Sequence, residues 1–494
     1  MRTVELQTAL GRLRGIADNQ VQSFLGVPYA KPPVQERRFA APQPIEPWSD
    51  VRDATVPGPN APHRLNDFSG LDTVPLVGEG WIKGDDYLTL NIWRPAAESS
   101  GFPVMVFIHG GGFVVGSKDA PVQNGRGFAR DGVICVSINY RLGVEGFLPI
   151  PGVPTNLGLR DQICALEWVR EYIADYGGDP SNITVFGESA GAMSVANLIT
   201  SPMAKDLFQR AIVQSGHGAM TRDIDVAQRL VRKVAKFLNV PATKAGFETA
   251  SIEACLDAVQ KVSQPTTLLD LRNRDGRDPV FGISRFVPVH GDDVLPQQPL
   301  EALKQGVGAD IDVLIGTNAE EMNLYLVPTG MRDKVGGLLA TYVLSKSLPK
   351  AREVLKAYGL KSKDKKAGQA LVDAMTDLVF RWPARRFAEE HRGRTHLYEF
   401  GWRSPAFRNQ LGASHGMELP FVFDTLAITT GPKGMTGEKP PQDLAQRVHG
   451  IWVDFAKNGT LPWDEFSRVG RQVYQLEIGE AVEEPAMPAA DFLP

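Results

Sequence analysis

The chain is short of cysteine, of long apolar runs and of excess charge. Its 494 residues hold three cysteines, Cys135, Cys164 and Cys255. Their spacing fits neither a metal site nor a disulfide framework, so they read as reduced core thiols. No apolar stretch approaches the ~18–20 residues that span a bilayer. The opening MRTVELQTALGRLRG lacks the basic start and apolar centre of a secretion signal. A formal net charge of −4, with no block of like charges, offers no footing for nucleic acid or an acidic membrane. No segment repeats and none is of low complexity. These absences point to a cytoplasmic protein. A hydrophobic content of 43% is enough for a large core in an ordinary globule.

Period is the next signal. FPVMVFI and VICVSINY are short apolar runs that read as buried strands. In LGLRDQICALEWVREYIADYGGDP the apolar Ile163, Leu166, Val169 and Ile173 recur at helical spacing, and the stretch ends in Gly177, Gly178 and Pro180. Strands and helices alternate in this way over about 104–216. That pattern predicts an α/β fold with a mostly parallel sheet and helices on both faces. DIDVLIGTN and THLYEFGW read as later strands of the same core. KPPVQERRFAAPQPIEPW reads as a Pro-rich surface loop. Residues 222–270 and 330–390 are helix-rich, with Ala227, Leu230, Val231, Val234 and Leu238 forming one packing stripe. No linker divides the chain, so 1–494 is expected to be one domain with two helical insertions.

Chemistry gathers at a few places. TVFGESAGAMSV puts Ser189 between Gly187 and Gly191, after a β-branched run and before a helix-forming one. A G-x-S-x-G string alone is weak, but this context suits a nucleophile held on a sharp strand-to-helix elbow. The helix that follows would set its positive end under developing negative charge. A serine hydroxyl needs a base, an anion to orient that base, and donors for the oxyanion. The donors are expected from Gly110-Gly111-Gly112, which follow a strand, and from the elbow itself. They are the N–H groups of Gly111, Gly112 and Ala190, each worth ~3 kcal/mol in the transition state. A phosphate loop is excluded because no Gly-Lys-Ser/Thr follows the glycines. In this motif's fold the order is nucleophile, acid, base. His415, in the loop-like GASHGMELPF, fits the base better than His391, His396 or His449. For the acid, Glu320 and Glu321 both lie just past a strand, and spacing does not choose between them. Asp292 and Asp293 stand further off.

These segments resemble the type-B carboxylesterase family of α/β-hydrolases, which includes cholinesterases and bacterial para-nitrobenzyl esterases. The match runs in order over nearly the whole chain and is nearer to the bacterial branch: FLGVPYAKPP, VFIHGGGF, INYRLGVEGFL, YGGDPSNITVFGESAGAMSV, FQRAIVQSG, IGTNAEEMNLY, SHGMELPFVF. The resemblance implies Ser189 as nucleophile, His415 as base and Glu321 as acid. It implies that Glu188 lines the site near the histidine and that Ser215 supports it from behind. Tyr87 stands where secreted members have a cysteine, and Cys255 lacks its partner, in keeping with a cytoplasmic chain. The family's Arg–Glu ion pair would here join Arg38 to Asp85. The loop between Pro57 and Trp81 lacks a choline-site aromatic pattern, which argues against acetylcholine.

The reading is a serine carboxylic-ester hydrolase that works through an acyl-enzyme on small to medium esters. It needs no metal or organic cofactor, and its partner is a small-molecule ester. The same groups could also serve an amide, carbamate or lactone hydrolase or an acyltransferase. A non-catalytic cholinesterase-like binding protein is the reading of another class. Activity is expected to rise through a histidine pKa near 6.5 if that group is unperturbed. Substrate preference is expected to lie in the loops 57–82, 270–290, 325–345 and 402–412, with Phe113 and Phe421 as candidate pocket walls.

Overall fold

The computed structural model describes residues 2–65 and 70–493. One 13-stranded sheet runs through it. Its central strands are parallel: Ile134–Ile138, Phe102–Ile108, Gly178–Glu188, Arg210–Gln214, Asp312–Asn318 and Thr395–Phe400 lie side by side in that order. Antiparallel strands close both edges, among them the N-terminal hairpin Arg2–Thr8 with Gly11–Ala17 and the C-terminal pair Gln472–Gln475 with Glu480–Glu483.

Alternation along Phe102–Ile108 explains why both faces are covered. Val104, Val106 and Ile108 enter one apolar cluster with Val185, Val195 and Ile163. Met105 and Phe107 point the other way, into a second cluster with Phe186, Val448 and Trp452. A strand apolar on both faces must be sandwiched, which is what a parallel sheet between helices requires. The helices Leu157–Tyr172 and Ala190–Thr200 contribute to the first cluster, and Gln442–Asn458 to the second.

The two stretches read as helix-rich hold Ile224–Leu238, Lys244–Glu248 and Ile252–Ser263 in the first, and five helices between Met331 and Glu390 in the second. In the second, a π turn at Asp377–Arg381 interrupts the path into Trp382–Glu390. No helix among the described residues is long and apolar enough to cross a membrane.

Register then places the chemistry. Ile108 pairs with Gly187, Glu188 with Gln214, and Gln214 with Gly316. The carboxyl ends of neighbouring parallel strands therefore lie together. The residues that follow them are His109, Ser189, Ser215 and Ala319. Ligands of open α/β sheets collect at this edge.

Two expectations need correction. Arg38 pairs with Glu145, at 2.7 Å, and not with Asp85, whose side chain is exposed. Glu145 also accepts from the Tyr87 hydroxyl at 3.1 Å, and Arg38 lies 3.5 Å from Cys255 Sγ. Tyr87 thus supplies a donor to a buried carboxylate. Phe421 is fully buried against Phe400 and Trp402 and does not wall the pocket.

Candidate active site

Ser189 links the strand Gly178–Glu188 to the helix Ala190–Thr200 with φ 56° and ψ −122°. A side chain in that conformation carries strain, and such strain concentrates at functional positions. The two flanking glycines are steric necessities. A Cβ on Gly191 would meet the Ile108 carbonyl oxygen at 1.9 Å, and one on Gly187 would meet the Gly191 carbonyl carbon at 2.5 Å. The elbow is clamped by Ser189 N–H donating to the Gln214 carbonyl at 2.9 Å.

The glycine run borders the same cavity of about 310 Å³, together with Ser189, Ala190 and His415. Its entry is rigid. The His109 ring stacks on Tyr140 at 4.5 Å, and the Tyr140 hydroxyl donates to the His109 carbonyl at 2.7 Å. Burial pushes His109 down to about 3, so it stays neutral. Gly111 has φ 104° and Gly112 φ 62°. A Cβ on Gly111 would strike the Val115 carbonyl oxygen at 2.1 Å. Among the described residues, the N–H groups of Gly111 and Gly112 have no hydrogen-bond partner. Free amides at a cavity wall are what an oxyanion calls for.

Glu321 and His415 meet across 94 residues of chain, with His415 Nδ1 2.6 Å from Glu321 Oε2. Glu321 Oε1 accepts from the Asn318 amide at 2.8 Å. Three more hydrogen bonds staple the acid's loop to the base's loop. The His415 amide donates to the Glu321 carbonyl, the Glu320 amide to the Ala413 carbonyl, and Asn318 Nδ2 to the Ser414 carbonyl. Glu320 turns the other way: it accepts from the Ala413 amide at 3.0 Å and pairs with Arg403. The pair that spacing left open is thus divided between the ring and the loop.

The other side of the ring faces Glu188, with His415 Nε2 3.1 Å from Glu188 Oε1. Burial raises Glu188 to about 8. Burial alone would lower His415. The charges of Glu188 and Glu321, with the Glu321 hydrogen bond, overcome it and push the imidazole up to about 9. The neutral ring therefore appears at higher pH than the sequence-based value near 6.5.

Ser215 follows the next strand with φ 54° and is fully buried. Its hydroxyl has no partner among the described residues and does not line the cavity. His391 is spent on Thr395 and the Gly308 carbonyl, His396 packs on Trp463, and His449 binds the Val422 carbonyl and Asp131. Asp292 accepts from Asn156, and Asp293 pairs with Arg160. None of these reaches the cavity.

Sequence reasoning missed two supports. Glu418 is buried behind the ring and accepts from Gln214 Nε2 at 3.1 Å and Asn318 Nδ2 at 2.6 Å. Burial and the charge of Glu321 raise its pKa. An acid inside the apolar MELPFVF was the available signal. Phe380, carried on the π turn, packs on the His415 ring at 4.7 Å, and π turns recur at functional sites. No local pattern announces that contact. Of the loops expected to set preference, 57–82, 270–290 and 325–345 reach the cavity while 402–412 does not. Within the first, residues 66–69 lie outside the described residues. Phe113 does line the cavity.

A family model described as the carboxylesterase family matches residues 2–483. A para-nitrobenzyl esterase of Bacillus subtilis (strain 168) is 36% identical over 500 residues, 96% of this chain and 95% of that one. A liver carboxylesterase of Sus scrofa is 34% identical and covers 92% of this chain and 85% of its own. A solved PNB esterase superposes with a TM-score of 0.84 at 31% identity, covering 99% of each chain.

Proposed function

The chain belongs to the carboxylesterase family and is a carboxylic ester hydrolase; from that premise we propose that it works through Ser189, His415 and Glu321. Ser189 Oγ attacks the ester carbonyl while His415 Nε2 takes its proton. Glu321 holds the Nδ1–H tautomer and stabilises the imidazolium that forms. The oxyanion rests on the N–H groups of Gly111, Gly112 and Ala190. His415 returns the proton to the departing alcohol, and water, activated by the same ring, clears the acyl-enzyme. Among the described residues His415 Nε2 has no hydrogen-bond partner, and catalytic hydrogen bonds of this kind come into line when substrate fills the site. Glu188 faces the ring as a charge that sets its proton affinity, and Ser215 backs the site from the next strand.

The observation that carries this reading is the 2.6 Å bond from His415 to Glu321 at the cavity where the strained Ser189 and the unbonded glycine amides also lie. A fluorophosphonate probe tests it without a choice of substrate. The intact wild-type protein should gain the mass of one adduct, and Ser189→Ala none. A folded wild type that takes up no probe would defeat the mechanism.

The pH profile is a second expected outcome. Because the imidazole is raised, kcat/KM should climb through an apparent pKa above 6.5, since only the neutral ring accepts the serine proton. Glu188→Gln removes a negative charge facing Nε2, so the climb should shift to lower pH. A profile that stays put or moves up would contradict that role for Glu188.

We also infer one α/β-hydrolase unit with two helical insertions, working in the cytoplasm on a small-molecule ester. The single sheet reaching from residue 2 to residue 483 supports the first. Three buried, unpaired cysteines support the second.

A further inference from the structure

We propose that Arg285 makes one end of the cavity a carboxylate site, so that the preferred substrates are esters bearing a second, free carboxylate. This rests on Ser189 acting as the nucleophile of the same cavity. The wall is mainly apolar, with Leu65, Leu76, Val77, Met220, Val280 and Ile283 among its residues. Among the described residues, the only acidic or basic side chains lining it are Glu188, His415 and Arg285. The first two are accounted for by the ester chemistry, and Arg285 is not.

Arg285 is half-buried, and its guanidinium has no ion pair or hydrogen bond with another described residue. Asp278 is taken by Arg222 at 2.8 Å, and Arg222 in turn is fully buried and repelled by the charge of Arg285. A guanidinium stays protonated at any working pH. A fork of N–H donors suits a planar carboxylate.

Position adds to chemistry. Ser284 Oγ donates to the Gly112 carbonyl at 2.7 Å, so the loop carrying Arg285 is tied to a glycine of the proposed oxyanion hole. Arg285 is the next residue. An ester whose carbonyl lies on those glycines would extend a carboxylate past the Ser284 tie towards the cation. The volume of about 310 Å³ suits a chain of a few carbons. Glu188, the other charged wall residue that could repel such a substrate, has its pKa raised by burial, which weakens that repulsion near neutral pH. The plainer account is an arginine whose stem covers apolar wall while its head reaches water. On that account the charge of the substrate is immaterial.

Two matched pairs of esters separate the accounts. Mono-p-nitrophenyl glutarate is set against p-nitrophenyl pentanoate, with the charge on the acyl half. 4-Acetoxybenzoate is set against 4-methylphenyl acetate, with the charge on the alcohol half. The readout is the charged-to-neutral ratio of kcat/KM for wild type, Arg285→Ala and Arg285→Lys, with probe labelling of Ser189 as the check that each variant is folded. In at least one pair the ratio should fall by about tenfold or more in Arg285→Ala, the scale of a lost charge-assisted hydrogen bond. Arg285→Lys should recover part of it, and added salt should lower the wild-type ratio. A ratio unchanged by Arg285→Ala in both pairs overturns the carboxylate site alone. A wild type that hydrolyses none of the four esters overturns the ester reading of the site, and this proposal with it.

Discussion

Ser189→Ala should lower kcat by about 10⁶-fold, and His415→Ala should do nearly the same. Each change removes one half of a single proton-transfer unit. Without the hydroxyl there is no nucleophile, and without the imidazole the hydroxyl keeps its proton. The double variant should therefore be hardly worse than either single one, and all three should retain some rate above water from the oxyanion donors. The fold should survive Ser189→Ala, because alanine keeps the Cβ that already sits at φ 56° and Ser189 contributes only its amide to the Gln214 clamp. The measurement is kcat on one chromogenic ester for the four proteins. Losses that simply add in the double variant would mean that the two residues act separately, and the mechanism would be wrong.

Glu321→Gln should cost about 10⁴-fold in kcat, while Glu320→Gln should cost less than about tenfold. The two side chains are neighbours in sequence and differ in what they touch. Glu321 is fully buried and accepts from His415 Nδ1 and the Asn318 amide. A carboxamide of the same shape keeps the packing but offers an N–H where the ring needs an acceptor, so the wrong tautomer is favoured. The charge that would stabilise the imidazolium is lost as well. Glu320 holds Ala413 and Arg403 instead. Its loss should appear as a lower Tm and a looser histidine loop, and not as a failure of chemistry. Equal losses in kcat from the two changes would reverse the assignment.

What could be read along the chain was whatever rests on neighbouring residues. The elbow is legible because a serine on a tight strand-to-helix turn needs glycine on both sides, and the close contacts at Gly187 and Gly191 are the reason. The glycine run is legible because backbone N–H groups turn toward one point only where φ is free, as at Gly111 and Gly112. The continuous apolar run Val104 to Ile108 likewise announced a buried strand, and the structure divides it between two clusters. Spacing singled out His415 by its loop setting, and family resemblance, not spacing, singled out Glu321.

Contacts between distant segments were not legible. Glu145 takes Arg38 from 107 residues away, because the fold buries that acid beside the arginine while Asp85 stays exposed. Glu418, Gln214 and Asn318 form one buried network only because two adjacent strands and the histidine loop end at the same height. Phe380 reaches the histidine through a π turn that no periodicity marks. The shift of His415 to about 9 belongs to the same class, since it depends on how many carboxylates the fold brings around one ring. Family and sheet could be read from the residue order, since they follow from local backbone geometry and ordered motifs, and the same motifs supplied the proposed reacting groups. Only the folded chain set the proton affinities and left the Arg285 cation without a partner among the described residues. Charge interactions depend on distance and burial, and neither is written in the order of the residues.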